Sequence, residues 1–477
     1  MAATDVPARL CAEALPELQA RGIHVPKSVS QAPIGVVHLG LGAFHRAHQA
    51  LVFGNLLDSG DPRWGVLGVA MRNPLLAESL ATQDGLYSVQ IASASGRAWH
   101  VGGAIRASCL ATRDRAAVVQ ALAAPPTRWV TLTVTEKGYG PALADLLVEG
   151  LAVRHAAGLA GLTLASCDNL QNNGRTLQAL CAASAARRSP ALADWVDARC
   201  AFPNSMVDRI VPAGSPAIAA EAREALGLSD AAALRTEAFW EWVIERRFAD
   251  PADALALESV GVQVVDDVGP YEEAKLRLLN GSHSVIACIG AIAGIPVVSD
   301  CVARPEVHAL VHGLMSHDIG PLLRRKDWPD YRDALLVRFA NPYLQHGVHQ
   351  IATDSSLKIA LRWVPAADAA LAAGRSVPGF ACCAAAWMRY CQGTDESGRA
   401  YALSDPRADT LRALALAHRD DACATFDALG TLPDLWGDTL PHHPGWRHEV
   451  TTQLQGMHRH GVLAQADHVA RALAGPA

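Results

Sequence analysis

Short apolar runs separated by helical stretches fill the first part of the chain. The runs at 34–39, 65–71, 129–135 and 162–166 are rich in Val, Leu and Ile, too short for helices, and read as buried strands. The stretches at 47–57, 115–123 and 172–186 read as helices between them. That alternation predicts an α/β domain on a parallel sheet. A hairpin is expected from 87–92 and 98–105 around Ser93-Ala94-Ser95-Gly96, and a short helix over 8–21 within a proline-flanked lead-in that ends at 33. Segment 202–212 reads as a loop with a local Asp208–Arg209 salt bridge. A strand at 263–268 reaches Gly269-Pro270, beyond which the pattern is helical, with Gly- and Pro-rich joints near 294–296, 341–347, 376–380 and 436–445. Two domains are expected, 1–270 and 271–477.

The first strand runs into Gly40-Leu41-Gly42 and then a helix. Strand, glycine turn and helix in that order seat a dinucleotide pyrophosphate on a helix N-terminus. His45 occupies the place of the third glycine of the usual fingerprint. After the second strand come Arg72 and Asn73 instead of the acidic residue that binds the adenosine ribose in NAD enzymes. Arg72 suits a 2′-phosphate or solvent, so NAD is expected and NADP stays open. Thr135, Lys137, Asp168 and Asn169 follow strand ends, where ligands gather in open α/β sheets.

The second part is organised around Tyr271-Glu272-Glu273-Ala274-Lys275-Leu276-Arg277-Leu278-Leu279-Asn280-Gly281-Ser282-His283. At roughly 100° per residue, Lys275, Asn280 and His283 share one broad helical sector, with Asn280 and His283 nearly side by side. The only lysines are Lys27, Lys137, Lys275, Lys326 and Lys358; arginine carries nearly all the positive charge. Arginine keeps its proton, whereas a desolvated lysine can lose it and act as a base. Other readings of the same residues are a snorkelling lysine, a helix-capping asparagine and a satisfied core histidine.

The net charge of −6 over 477 residues argues against a nucleic-acid partner and leaves room for a local cationic pocket. No CxxC pair or zinc-ligand spacing appears among the eleven cysteines, and no metal is expected. The N-terminus lacks an export pattern, and the longest apolar run, 285–298, is too short to span a bilayer. A cytoplasmic protein with no membrane partner is expected, a monomer or small homo-oligomer.

With these pieces in order, the chain resembles the mannitol dehydrogenase family of long-chain polyol and hexuronate dehydrogenases. The resemblance spans nearly the whole length: HLGLGAFHRAHQA (38–50), TVTEKGY (133–139), SCDN (166–169), MVDRIVP (206–212), KLRLLNGSHS (275–284), RFANP (338–342) and WMRYCQGTDESG (387–398). It implies a Rossmann-type N-terminal domain, a mostly α-helical C-terminal domain and metal-independent oxidation of a secondary alcohol. By motif, the catalytic lysine falls on Lys275, the asparagines on Asn169 and Asn280, the histidine on His283, and an acidic residue tied to proton passage on Glu272. Cofactor contacts are expected at Gly40, Gly42, Ala43, Phe44, Arg72, Thr135, Glu136, Asp168, Val207 and Asp208. TEKGY and WMRYCQGTDESG resemble the hexuronate reductases, and Lys137, Arg338, Lys358 or Arg362 offers a cation for a uronate carboxylate. Ser355 departs from the DGS-x-K pattern of both branches, so D-mannonate/D-fructuronate stands as the expected pair and D-mannitol/D-fructose as its rival. A non-catalytic sugar or nucleotide sensor is the alternative of another class; it has no use for a proton acceptor at Lys275.

Overall fold

Four of the five strands of the largest sheet are the apolar runs themselves. In a computed structural model, which describes residues 8–27 and 32–474, the strands are β1 (Ile34–Leu39), β2 (Gly65–Ala70), β3 (Tyr87–Ser93), β4 (Gly96–Gly102), β5 (Ile105–Leu110), β6 (Trp129–Leu132), β7 (Thr163–Ser166), β8 (Ser205–Asp208), β9 (Leu234–Glu237), β10 (Glu241–Glu245) and β11 (Gln263–Val265). The large sheet has the order β5-β2-β1-β6-β7, and every pairing in it is parallel. Strands β1, β2, β6 and β7 are buried along almost their whole length because helices such as Arg115–Ala123 and Pro141–Ala156 cover the sheet. The chain leaves β1 for β2 on one side and reaches β6 on the other, which puts a topological switch point at the carboxyl ends of β1 and β6. Two three-stranded sheets, β4-β3-β9 and β11-β10-β8, complete this part.

Several expected boundaries move, each for a local reason. The hairpin arm stops at Gly102, and Ile105–Leu110 becomes a separate edge strand of the large sheet. A Cβ at Gly102 would fall 2.4 Å from the Tyr87 ring, so the chain needs glycine where it steps between sheets. The run from 129 ends at Leu132 because the backbone turns, with Thr135 at φ +63°. The helix after the glycine turn begins at Ala43, directly behind Gly42, and breaks at His48 before Gln49–Asp58. Within 8–21 only Ala12–Ala14 and Leu15–Ala20 are helical, and residues 28–31 of the lead-in lie outside the described residues. Segment 202–212 contains strand β8 rather than being all loop, and the Arg209 guanidinium goes to the carbonyls of Glu237 and Ala47 instead of to Asp208.

The chain divides into two compact units, Met1–Gly269 and Pro270–Ala477. The second is helical, with only isolated bridges (Val297 to Gly347, Thr394 to Ala400) among its described residues. Its core is the helix Pro378–Tyr390, buried at nearly every position, with the Trp387 and Trp436 rings edge-to-face and Trp446 tilted against Trp436, both pairs at 5.9 Å. Each such ring contributes roughly 2–3 kcal/mol by leaving water.

Its first element is one rod, Gly269–Ala293, long and apolar enough by length and composition to cross a membrane, although 78% of its apolar window is buried in the protein. The rod outruns the apolar run at 285–298, because helix starts well upstream of it, at Gly269.

Candidate active site

In the N-terminal unit, Gly40 takes φ +103°, and a Cβ there would lie 2.1 Å from the Thr133 carbonyl oxygen. Only glycine fits. The N–H groups of Gly40 and Leu41 both donate to Val69 O on β2, at 2.9 and 3.0 Å. Gly42 is extended and caps Ala43–Ala47, so Ala43 and Phe44 open a helix whose first N–H groups have no intrahelical acceptor. This turn sits at the end of β1, beside the end of β6.

Asp168, just past β7, is buried, and its carboxylate accepts from the N–H groups of Val134 (3.1 Å) and Thr135 (2.8 Å) and from the Tyr139 hydroxyl (3.0 Å). Burial pushes its pKa up while those donors pull it down. Its visible work is to pin the loop that presents Thr135, Glu136 and Lys137, all exposed. Asn169 follows it and is exposed too. Behind them Asn173 donates to Asp168 O (3.0 Å) and Ser205 O (2.8 Å), which ties the end of β7 to the start of β8 and its Val207 and Asp208. Arg209 donates to Ala47 O at 2.5 Å, joining the end of β8 to the glycine-turn helix. Arg72 is exposed beyond β2, which ends at Ala70.

In the C-terminal unit the rod has three parts: α-helix Gly269–Ala274, a π segment Lys275–Gly281, and α-helix Ser282–Ala293. The regular 100° spacing expected of this stretch is therefore wrong between 275 and 281. A π turn bonds each N–H to the carbonyl five residues back, and such turns cluster at functional sites. Its carbonyls are held by side chains from further along. Arg362 donates to Asn280 O (3.0 Å) and to Ser284 Oγ (2.7 Å), Ser284 Oγ donates to Asn280 O (3.1 Å), and Trp363 Nε1 donates to Gly281 O (3.0 Å). Burial lowers the Arg362 pKa to about 10.

Lys275, Asn280 and Glu272 are half-buried, and His283 is buried. The His283 ring lies 4.4 Å from that of Phe339, and the His346 ring meets it edge-on at 5.5 Å. Arg338, buried, precedes Phe339 in the last turn of Trp328–Phe339. Lys358 donates to Ile351 O at 3.1 Å, and after burial its charge is the next influence that lowers the His346 pKa. Thus Lys358, His346, His283 and Phe339 form one connected group, with Lys275 and Asn280 on the rod that carries His283.

Two family models match the chain: the mannitol dehydrogenase Rossmann domain over residues 34–257 and the mannitol dehydrogenase C-terminal domain over residues 267–458. The chain belongs to the mannitol dehydrogenase family. Among its relatives, D-mannonate oxidoreductase of Escherichia coli is 35% identical over 90% of this chain and 94% of that protein. Mannitol 2-dehydrogenase of Phaeosphaeria nodorum is 35% identical over 90% of this chain and 80% of that protein. The solved ternary complex of Pseudomonas fluorescens mannitol 2-dehydrogenase with NAD and D-mannitol is 31% identical, with a TM-score of 0.82, covering 98% of this chain and 100% of that one. A mannonate enzyme and a mannitol enzyme are equally similar, so identity does not choose the substrate.

Against the family pattern, Ser355 turns its side chain inward. Its hydroxyl lies 3.2 Å from Asp405 Oδ2 and accepts from Trp387 Nε1 at 3.0 Å. Asp405 also takes the N–H and hydroxyl of Ser356. The extra hydroxyl thus belongs to the start of helix Ser355–Arg362, and the departure from glycine acts on packing. Sequence reasoning missed Asn173, which read only as part of a helix start, and His346, a single histidine in a Gly- and Pro-rich joint that carried no motif signal. It left Arg362 as one of several cations, because nothing along the chain announces a bond to a carbonyl so far upstream.

Proposed function

We propose that this chain is an NAD-dependent oxidoreductase that interconverts a secondary alcohol and its ketone on a sugar acid, D-mannonate and D-fructuronate, with Lys275 as the proton acceptor. The observation that supports the reading is the π segment Lys275–Gly281, which spaces Lys275 and Asn280 by one widened turn and leads directly into the helix of the buried His283. Gly40, Gly42, Ala43 and Phe44 fit a dinucleotide pyrophosphate: the turn has no room for a side chain at Gly40 and stands at the switch point of the sheet. When bound, NAD supplies the acceptor for the hydride that leaves carbon.

The chain's own groups handle the proton and the charge. A free lysine has a pKa of roughly 10.4, and a base working near neutrality is best tuned to roughly 7–8, so the amine must be held where its charged form is disfavoured. Lys275 Nζ then takes the hydroxyl proton. The amide NH₂ groups of Asn280 and Asn169 donate to the developing alkoxide as neutral donors, and His283 donates to the same oxygen or orients the lysine. Glu272, three residues before Lys275, receives the proton and passes it outward.

The sugar-acid reading is supported by the cations near His283, Lys358 and Arg338, and by exposed Lys137 on the loop that Asp168 pins. The mannitol/fructose reading is favoured by the likeness to the mannitol 2-dehydrogenases. The eleven free cysteines support a cytoplasmic site. Purified protein assayed with fructuronate and with fructose, each with NADH and with NADPH, separates these readings. Fructuronate with NADH is the expected best pair; fructose preferred transfers the proposal to the polyol, NADPH preferred assigns Arg72 to a 2′-phosphate, and no turnover with either substrate removes both substrate readings and points to another polyol.

A further inference from the structure

Behind the glycine turn runs a buried polar chain that the proposed reaction does not use. His38 Nδ1 lies 2.8 Å from Thr131 Oγ1, His38 Nε2 lies 3.0 Å from Thr133 Oγ1, and Thr133 Oγ1 lies 2.9 Å from Gly40 O. Every proton in it can be assigned. The Gly40 carbonyl only accepts, so the Thr133 hydroxyl donates to it. Having spent its proton, Thr133 Oγ1 accepts from His38, which puts the imidazole proton on Nε2. A neutral ring then has a lone pair at Nδ1 and accepts from the Thr131 hydroxyl. Full burial, which drives the His38 pKa down to about 3, keeps the ring neutral.

The ring is also clamped on its face. His45 stacks on His38 with centroids 3.3 Å apart and planes 10° apart. The third fingerprint glycine, where His45 stands, ordinarily lets helix and strand approach closely; here two flat rings achieve that approach. The peptide that joins Gly40 to Leu41 is thereby held at both ends, its N–H by Val69 O on β2 and its carbonyl by Thr133 after β6.

We infer that His38 is a positioning residue for the dinucleotide: through Thr133 it fixes the Gly40 carbonyl away from the phosphate-facing side of the turn, so that the turn keeps its binding shape before the cofactor arrives. The inference rests on the reading of this turn as the NAD site. A peptide free to flip would present a carbonyl oxygen to a phosphate, and holding it in advance lowers the cost of binding.

The test is titration of the full-length protein with NADH by fluorescence, alongside thermal melting and steady-state kinetics. Thr133→Val, which keeps the shape and removes the hydroxyl, should raise the NADH dissociation constant about tenfold, with KM for NADH rising more than kcat falls; Thr133→Ser should restore it. His38→Phe keeps a flat ring for His45 to stack on and should weaken NADH to a similar degree. The double variant should be no worse than the singles, as expected for members of one relay. NADH affinity within twofold of wild type in folded Thr133→Val overturns the inference, whatever happens to the melting point. Should His38→Phe fail to fold, the Thr133 pair decides alone. Wild-type protein that does not take up NADH overturns the cofactor reading and this inference together, a result distinct from equal binding by wild type and variant.

Discussion

Lys275 opens the π segment of the rod, and Asn280 follows it one π turn later. In an α-helix, residues five apart point roughly 140° away from each other. In a π turn the hydrogen bond itself spans five residues, so the two side chains rise on one line, much as residues four apart do in an α-helix. The widened helix therefore sets positions 275 and 280 on one line, where regular helix would turn them apart.

Lys275→Ala should cut turnover about a hundredfold or more at neutral pH with NADH binding largely kept. Parallel kcat measurement and NADH titration check this. A variant with near-normal kcat would strip Lys275 of the base role.

The widened turn should depend on Arg362, whose guanidinium holds Asn280 O and Ser284 Oγ. Arg362→Leu removes both bonds and leaves a buried carbonyl with one partner fewer, at a cost of roughly 2–3 kcal/mol. The expected outcome is a melting point lower by about 5–10 °C and a kcat that falls by more than KM changes. Circular dichroism melts and steady-state kinetics measure the two effects. If kcat holds while stability drops, the turn does not need this arginine to align Lys275 with Asn280.

The contrast between these residues shows what a linear reading can see. Strands β1, β2, β6 and β7 were legible because strands covered on both faces must be continuous apolar runs, and helix Arg115–Ala123 was legible from its pattern. Strand β5 was missed because Gly102 and Gly103 carry the chain from one sheet to another without any break in strand-like composition. The glycine turn and the lysine stretch stood out by residue type alone. The π turn did not, since counting at a fixed angle presumes the α-helix it sets out to find. Asp168 was recognised as a strand-end residue, but its bonds to Val134 and Thr135 N–H are set by strand order, and strand order is invisible in a single chain read end to end.

Asp318 gives a stability prediction with a definite sign. Buried against the N–H of Phe380 at 2.9 Å, its carboxyl is pushed up to about 7 by burial, with Glu449 as a further negative neighbour and Arg375 as an opposing positive one. Below about pH 4 it is protonated folded or unfolded. Between about pH 4 and 7 the unfolded chain releases the proton first, so stability falls as pH rises through that window and is level above it, a loss of at most about 4 kcal/mol. Burial raises Glu449 as well, which adds to the same slope. Asp318→Asn keeps an acceptor for Phe380 and cannot ionise. It should melt higher than wild type at pH 7.5 and show a flatter dependence from pH 4 to 7, checked by melts across that range; identical profiles would refute the assignment.

Ser355 and Lys358 lie in one helix but should affect different properties. Ser355→Gly leaves the Trp387 indole N–H without its 3.0 Å acceptor and should lower stability by roughly 1–3 kcal/mol while leaving the choice between fructuronate and fructose unchanged. Lys358 stands by His346, which meets His283 edge-on. A uronate carboxylate bonded to its ammonium gains a charge-assisted contact that fructose, with no charge, does not. Such contacts carry roughly 1.5–3 kcal/mol, so Lys358→Met should lower kcat/KM for fructuronate by ten- to a hundredfold more than for fructose. The side chain keeps its length and apolar stem, which separates loss of charge from loss of packing. The ratio of the two kcat/KM values, wild type over variant, is the deciding quantity. If both substrates fall alike, Lys358 serves the ketone end or the fold, and the case for a sugar acid rests on Lys137 and Arg338.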